Sequence, residues 1–383
     1  MINRLTLAAA IAAMAVTLSL VDQVSADLKP ERDSVHLRVI DTGAGLATLL
    51  EIQNDMDTPR DGIQANERYF IVYDTGHWFS PEPTAKAIVE RIPSGEQIDL
   101  MILSHPDSDH LSATDEIING FRDGNDTFEG VFVDTIIRTG YQRPWVGTWA
   151  TMQKAIRTAT TKYGTRDVNL MYDKVPHGTK WQFGHTTITL LSGFSEPPTD
   201  WDLGVPKSDS SHYESRRRNA ISIVIRVDYN GRSFLFTGDA VGRVDGASPG
   251  SPSLATEKYL LDNKENRPIE ADVLIAPHHG SDNGNSRDFI KAVNPRCVIF
   301  SAGHGHNHPK KSVIERYMSF LSPDPVLLTT DRGDNTEDGL GWGTPGNPND
   351  PDEDDGISLL ISKRGDAWSI QYEQDGGNSG SCD

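Results

Sequence analysis

Four side chains of the kinds that bind metal ions fall within six residues at His105-Pro106-Asp107-Ser108-Asp109-His110. Imidazole nitrogens and carboxylate oxygens in one cluster suit zinc, manganese or iron. A single His–Asp pair would pass for a surface hydrogen bond, and Asp109 alone for the cap of a helix starting near Leu111. Four such residues beside an apolar run are poorly explained that way. Two further clusters carry the same chemistry, Thr237-Gly238-Asp239 and His278-His279-Gly280-Ser281. A Gly-Asp turn or a His pair says little alone. What joins the three is position, because each follows directly on a short apolar run of strand character.

Those runs recur along the chain. Residues 35–40 end at Asp41-Thr42-Gly43, residues 69–73 at Asp74-Thr75-Gly76, and residues 98–103 at Ser104-His105. Residues 221–227 and 233–236 flank Asn230-Gly231, a strong hairpin signal. Residues 271–276 and 297–300 are two more. Helical patterns lie between them at 111–121, 149–163, 286–293 and 311–320, the last entered through Pro309. The polar stretch 197–218, ending in Ser215-Arg216-Arg217-Arg218, reads as a loop whose basic end is solvated or clamps a phosphate. Residues 331–356 read as a Gly-, Pro-, Asn- and Asp-rich loop. Its acidic run at 350–355 lacks calcium-loop spacing. A hairpin of 357–362 with 368–372 closes the pattern, and the tail 376–383 reads as disordered.

The chain of 383 residues is 36% apolar and 24% charged, with material for a large core. Residues 1–26 have the layout of a signal peptide: Arg4, an apolar run over 5–21, then Val24-Ser25-Ala26. Export to the periplasm or beyond is therefore expected, without stable membrane association once the leader is removed. The formal net charge of −19 argues against a protein that coats nucleic acid non-specifically. It leaves room for a nuclease whose site is locally basic or metal-loaded. With only two cysteines, Cys297 and Cys382, a cysteine-rich zinc site is excluded. Cys297 reads as a small buried residue, and a disulfide to Cys382 is open in an oxidising compartment.

In this order the motifs resemble the metallo-β-lactamase superfamily, whose signature is His-x-His-x-Asp-His. More closely they resemble its competence-protein (ComEC-like) branch, where Asp replaces the second His. Asp41-Thr42-Gly43-x-Gly45, Tyr73-Asp74-Thr75-Gly76, His105 to His110, Asn219 with Ser222-Ile223-Val224, Thr237-Gly238-Asp239, His278-His279-Gly280-Ser281 and His308-Pro309 carry the likeness, over about residues 35–320. The resemblance implies an α/β fold, an αββα sandwich of two mixed sheets flanked by helices, over residues 27–375. It implies two divalent metal ions, zinc foremost with manganese or iron as alternatives. His105 and Asp107 would hold one ion, Asp109 and His110 the other, and Asp239 would bridge them. One of His278 and His279 would complete the second site, His278 being slightly favoured.

Such a centre generates hydroxide from water near neutral pH, for attack on phosphorus or a carbonyl carbon. By resemblance Asp109 would orient that hydroxide. His308, or His279 if His278 is the ligand, would protonate the leaving group. The superfamily's third-motif His has no clear counterpart: His177, His185 and His212 lie in the right interval but in no motif, and Asn219 is the alternative. His304 and His306 read as adventitious binders more than as substrate contacts. The expected substrate is a small-molecule or nucleic-acid phosphoester. A lactone or amide hydrolase, and a non-catalytic binding module, are the competing readings.

Overall fold

The computed structural model describes residues 33–53, 67–302, 308–330, 356–362, 368–373 and 382. The leader, the acidic run 350–355, His304 and His306 lie outside them, as does the tail apart from Cys382. The first half of the chain runs β1 (Ser34–Val39), β2 (Ala47–Gln53), β3 (Arg68–Thr75), α1 (Pro81–Val89), β4 (Ile98–Leu103), α2 (Thr114–Asn119), a small hairpin of β5 (Phe121–Asp123) and β6 (Asp126–Phe128), β7 (Val133–Arg138), α3 (Gly147–Thr158) and β8 (Arg166–Asn169). The second half runs β9 (Lys180–Phe183), β10 (Thr186–Ser192), α4 (Ser210–Ala220), β11 (Val224–Tyr229), β12 (Arg232–Phe236), α5 (Ala255–Asn263), β13 (Val273–Ile275), α6 (Arg287–Val293), β14 (Cys297–Phe300), α7 (Lys311–Phe320) and β15 (Val326–Thr329). Then β16 (Ile357–Ile361) and β17 (Trp368–Tyr372) return to the first sheet.

One sheet has the order β17-β16-β1-β2-β3-β4-β7-β8 and the other β15-β14-β13-β12-β11-β10-β9. Both are mixed: β3, β4, β7 and β8 are parallel, as are β12 to β15, and the remaining pairs are antiparallel. Alternation of side chains along each strand sorts the core into layers. Ile71 and Tyr73 of β3 meet Ile225, Phe234 and Ile275 of the other sheet, whereas Phe70 and Val72 turn outward to Ile88 of α1 and Ile117 of α2. On the far side Leu235, Leu274 and Val298 face Phe289 of α6 and Tyr317 of α7. Strands covered on both faces are largely apolar, and β4, apolar but for Asp99, and β14 match their expected spans residue for residue. The layers run helix, sheet, sheet, helix, as expected.

Three local expectations need correction. The stretch 197–218 is not all loop, since α4 occupies its end and carries Arg216 to Asn219. A low apolar content hides this helix from periodicity. The helix expected over 111–121 shrinks to α2. Residues 111–113 form a turn, with Ala113 N donating to Thr75 O, and Gly120 at φ 81° breaks the helix before β5. Cys382, placed in the disordered tail, is buried and disulfide-bonded to Cys297 with a Cα–Cα distance of 5.6 Å.

Candidate metal centre

Parallel strands point their carboxyl ends one way, and the loops leaving β4, β12 and β13 converge between the sheets. The β4 loop supplies His105 to His110, the β12 loop Asp239, and the β13 loop His278 and His279. Cross-links hold the edges together: Tyr73 Oη donates to Ile223 O at 2.6 Å, Ile223 N to Ser104 O at 2.9 Å, and Ser301 Oγ to Gly45 O at 2.8 Å.

Asp239 is the hub, almost fully buried. Its Oδ1 lies 3.1 Å from His110 Nε2 and 3.4 Å from His279 Nε2. Its Oδ2 lies 3.5 Å from His105 Nε2 and 3.3 Å from His278 Nε2. Asp109 Oδ2 stands 3.8 Å from His110 Nε2 and 3.6 Å from His279 Nε2, so Asp109, His110, Asp239 and His279 present ligand atoms within 4.8 Å of one another. On the other side Asp107 Oδ2 is 3.9 Å from His105 Nε2. The seven residues thus fall into two groups that share one carboxylate.

Each imidazole is steered from behind. Ser104 Oγ contacts His105 Nδ1 at 3.0 Å, Asp74 Oδ2 contacts His110 Nδ1 at 2.8 Å, Asn283 Oδ1 contacts His278 Nδ1 at 2.7 Å, and Ser301 O accepts from His279 Nδ1 at 2.6 Å. Such partners fix the ring orientation and leave Nε2 for an ion. Asp74 is itself held by Ser104, which donates through both N and Oγ at 2.7 Å.

The sequence favoured His278 as the partner of Asp109 and His110; the structure puts His279 there. His278 and His279 have successive positive φ angles of 50° and 55°, which send adjacent rings to the two sides of Asp239. Periodicity carries no such information. Asn219 sits next to His278, with Nδ2 at 3.4 Å from its ring. None of the three alternative histidines is near: His177 contacts Tyr259 and Gly193, His212 pairs with Asp209 on the surface, and His185 is exposed. His308 stands at the rim, its ring centroid 6.0 Å from that of His278.

Of the basic run only Arg218 reaches the site. Arg216 is buried against Asp245 and the carbonyl of Arg243, and Arg217 pairs with Glu196 and Glu214. Arg218 Nε donates to Asp107 Oδ1 at 2.5 Å, and Arg143, from the loop after β7, donates to the same oxygen at 2.6 Å. Arg143 and Asp74 are the site residues sequence reasoning missed. Asp74 had a signal, an acid directly at a strand end, whereas Arg143 had none.

The electrostatics suit cation binding. Burial and the neighbouring His110 charge lower the His105 pKa to about 3, so this ring stays neutral and its Nε2 lone pair is available. Burial opposes charge on His110, but Asp239, Asp109 and Asp74 overcome it and hold His110 well above its usual pKa. Burial likewise opposes ionisation of Asp239, yet the imidazoles around it, His278 and His110 foremost, keep it an anion.

No protein-family model matches the chain. It is 23% identical over 279 residues to ComE operon protein 3 of Bacillus subtilis, covering 72% of this chain and 27% of that protein. It is 31% identical over 127 residues to competence protein ComA of Neisseria gonorrhoeae, covering 33% of this chain and 16% of that one. The chain thus spans about a quarter of the first relative and less of the second. Among solved structures, the metallo-β-lactamase fold protein YhfI of Bacillus subtilis aligns at 13% identity with a TM-score of 0.40, over 77% of this chain and 96% of that one. The chain is an αββα sandwich of two mixed sheets, the architecture that the motifs implied. In sequence it is similar to competence proteins, as the motifs implied. No described helix is long and apolar enough to cross a membrane.

Proposed function

We propose that the protein is an exported dinuclear metallohydrolase acting on phosphodiesters. The observation that carries this reading is the division of Asp239 between two donor groups, His105 and His278 on Oδ2 with Asp107 beside His105, and His110 and His279 on Oδ1 with Asp109 beside both. The donors fit metal ions. His105 Nε2 is buried with no hydrogen-bond partner, an arrangement that costs free energy unless something binds there. Four imidazoles and three carboxylates form the nitrogen–oxygen set that suits zinc, manganese or iron, and zinc is the first candidate.

Two divalent ions in such a site would supply Lewis acidity and make a bound water acidic near neutral pH. The chain's own residues do the rest. Asp109 would orient the attacking water, and Asn219 would take the place of the missing histidine beside His278. His279 belongs with the ligands, which leaves His308 at the rim to hand a proton to the leaving oxygen. The buried Cys297–Cys382 disulfide supports export, because such bonds persist in oxidising compartments.

The test is hydrolysis of bis(p-nitrophenyl) phosphate beside a panel of lactones and amides, with zinc and with manganese. Diester turnover that follows metal content supports the reading. Lactone or amide turnover without diester turnover transfers the site to acyl substrates. Bound metal with no turnover on either panel leaves a binding module.

A further inference from the structure

We propose that Arg143 and Arg218 form an anion-recognition subsite at the mouth of the centre, on the His105 side, which receives a non-bridging oxygen of the substrate. The assignment rests on the phosphodiesterase reading and narrows it to substrates that carry a negative charge next to the scissile bond. The two guanidiniums come from opposite sheets, Arg143 from the loop after β7 and Arg218 from α4, and meet over Asp107. One carboxylate oxygen serves both, so the pair keeps one positive charge that Asp107 does not balance.

Their donors are also incompletely used. Arg143 bonds through Nη1 alone, to Asp107 Oδ1 and to Pro106 O at 3.0 Å, and its Nε is buried without a partner. Arg218 bonds through Nε alone, and its two Nη groups make no hydrogen bond among the described residues. The side chains are 15% and 17% exposed, open enough to meet a ligand and buried enough to strengthen the contact. Planar forks of this kind match the paired oxygens of a phosphoryl group. The rest of the basic run is tied into ion pairs, so the subsite is these two residues and not the run.

Arg143→Gln, Arg218→Gln and the two Lys variants test this in the metal-loaded protein. Three quantities are read: inorganic phosphate binding by calorimetry, bound metal, and kcat and KM on bis(p-nitrophenyl) phosphate. The expected result is a loss of phosphate affinity of about tenfold or more in each Gln variant, partly restored by Lys, at unchanged metal content. KM for the diester rises with it. Phosphate binding that depends on both arginines upholds the subsite even if the wild type turns over no diester, which is where a failure of the broader reading would show. Unchanged phosphate affinity, or variants that lose metal without any loss of phosphate affinity in the loaded fraction, overturns it and reduces the pair to positioning residues for Asp107.

Discussion

Asp74 governs the centre from behind His110, accepting from that ring while Ser104 pins the carboxylate from two sides. Asp74→Asn should keep the fold and lower metal affinity by about 10–100-fold, since partners behind metal-binding histidines commonly act at that scale. Competition against a graded chelator measures this, and an affinity equal to wild type would remove Asp74 from the centre. His105, Asp107, Asp109, His110 and Asp239 were legible because they sit at short spacings after apolar runs. The choice between His278 and His279 was not, because two left-handed backbone conformations decide it. Arg143 was invisible for another reason, since its meaning depends on Arg218, which is distant in sequence and adjacent only in the fold.

At the scale of elements, the β1–β2 turn buttresses the metal loop. Gly45 has φ +100°, and a Cβ there would lie 2.2 Å from the backbone oxygen of Asp109. Leu46 N also donates to that oxygen at 3.0 Å. Gly45→Ala should lower stability by about 1–3 kcal/mol and metal affinity with it. Chemical denaturation together with metal titration checks both, and a stable variant with weakened binding would show that strain reaches only the loop.

The loop after His278 and His279 is held by Glu257 of α5, which accepts from Asn285 N at 2.6 Å and Ser286 N at 2.9 Å. Burial pushes the Glu257 pKa up to about 7 from 4.5. With the folded value raised, the native state binds more protons between those pH values. The contribution is complete below pH 4.5 and fades as pH rises through 7, to a total of about 3 kcal/mol. Glu257→Gln should therefore flatten the decline in stability over that range, as read from denaturation midpoints. An unaltered slope would show that Glu257 ionises normally. Neither α5 nor α4 was expected from the sequence. Ala220 packed with Leu203, Val241 and Ala255, and Arg216 held by Asp245 and the Arg243 carbonyl, set α4 in place of an apolar stripe, and the polar content of 197–218 concealed it.

For the molecule as a whole, the strands were legible as short, largely apolar runs, and the αββα sandwich was what the resemblance of the motifs implied. The disulfide was left open because its partner lies 85 residues away, in a stretch that composition marks as disordered. Cys297 starts β14 and Ser301 follows its end, so the bond lies at the opposite edge from the centre. Cys382→Ser should lower stability by about 2–4 kcal/mol while leaving metal content unchanged. A parallel loss of metal would contradict that separation. The proposed joining of two ion sites by Asp239 is tested most directly by the metal-to-protein ratio of the purified chain, wild type against Asp239→Ala, by elemental analysis. Two equivalents in the wild type and loss of both in the folded variant is the expected result. A wild type that binds no metal, or a variant that keeps both equivalents, would contradict it.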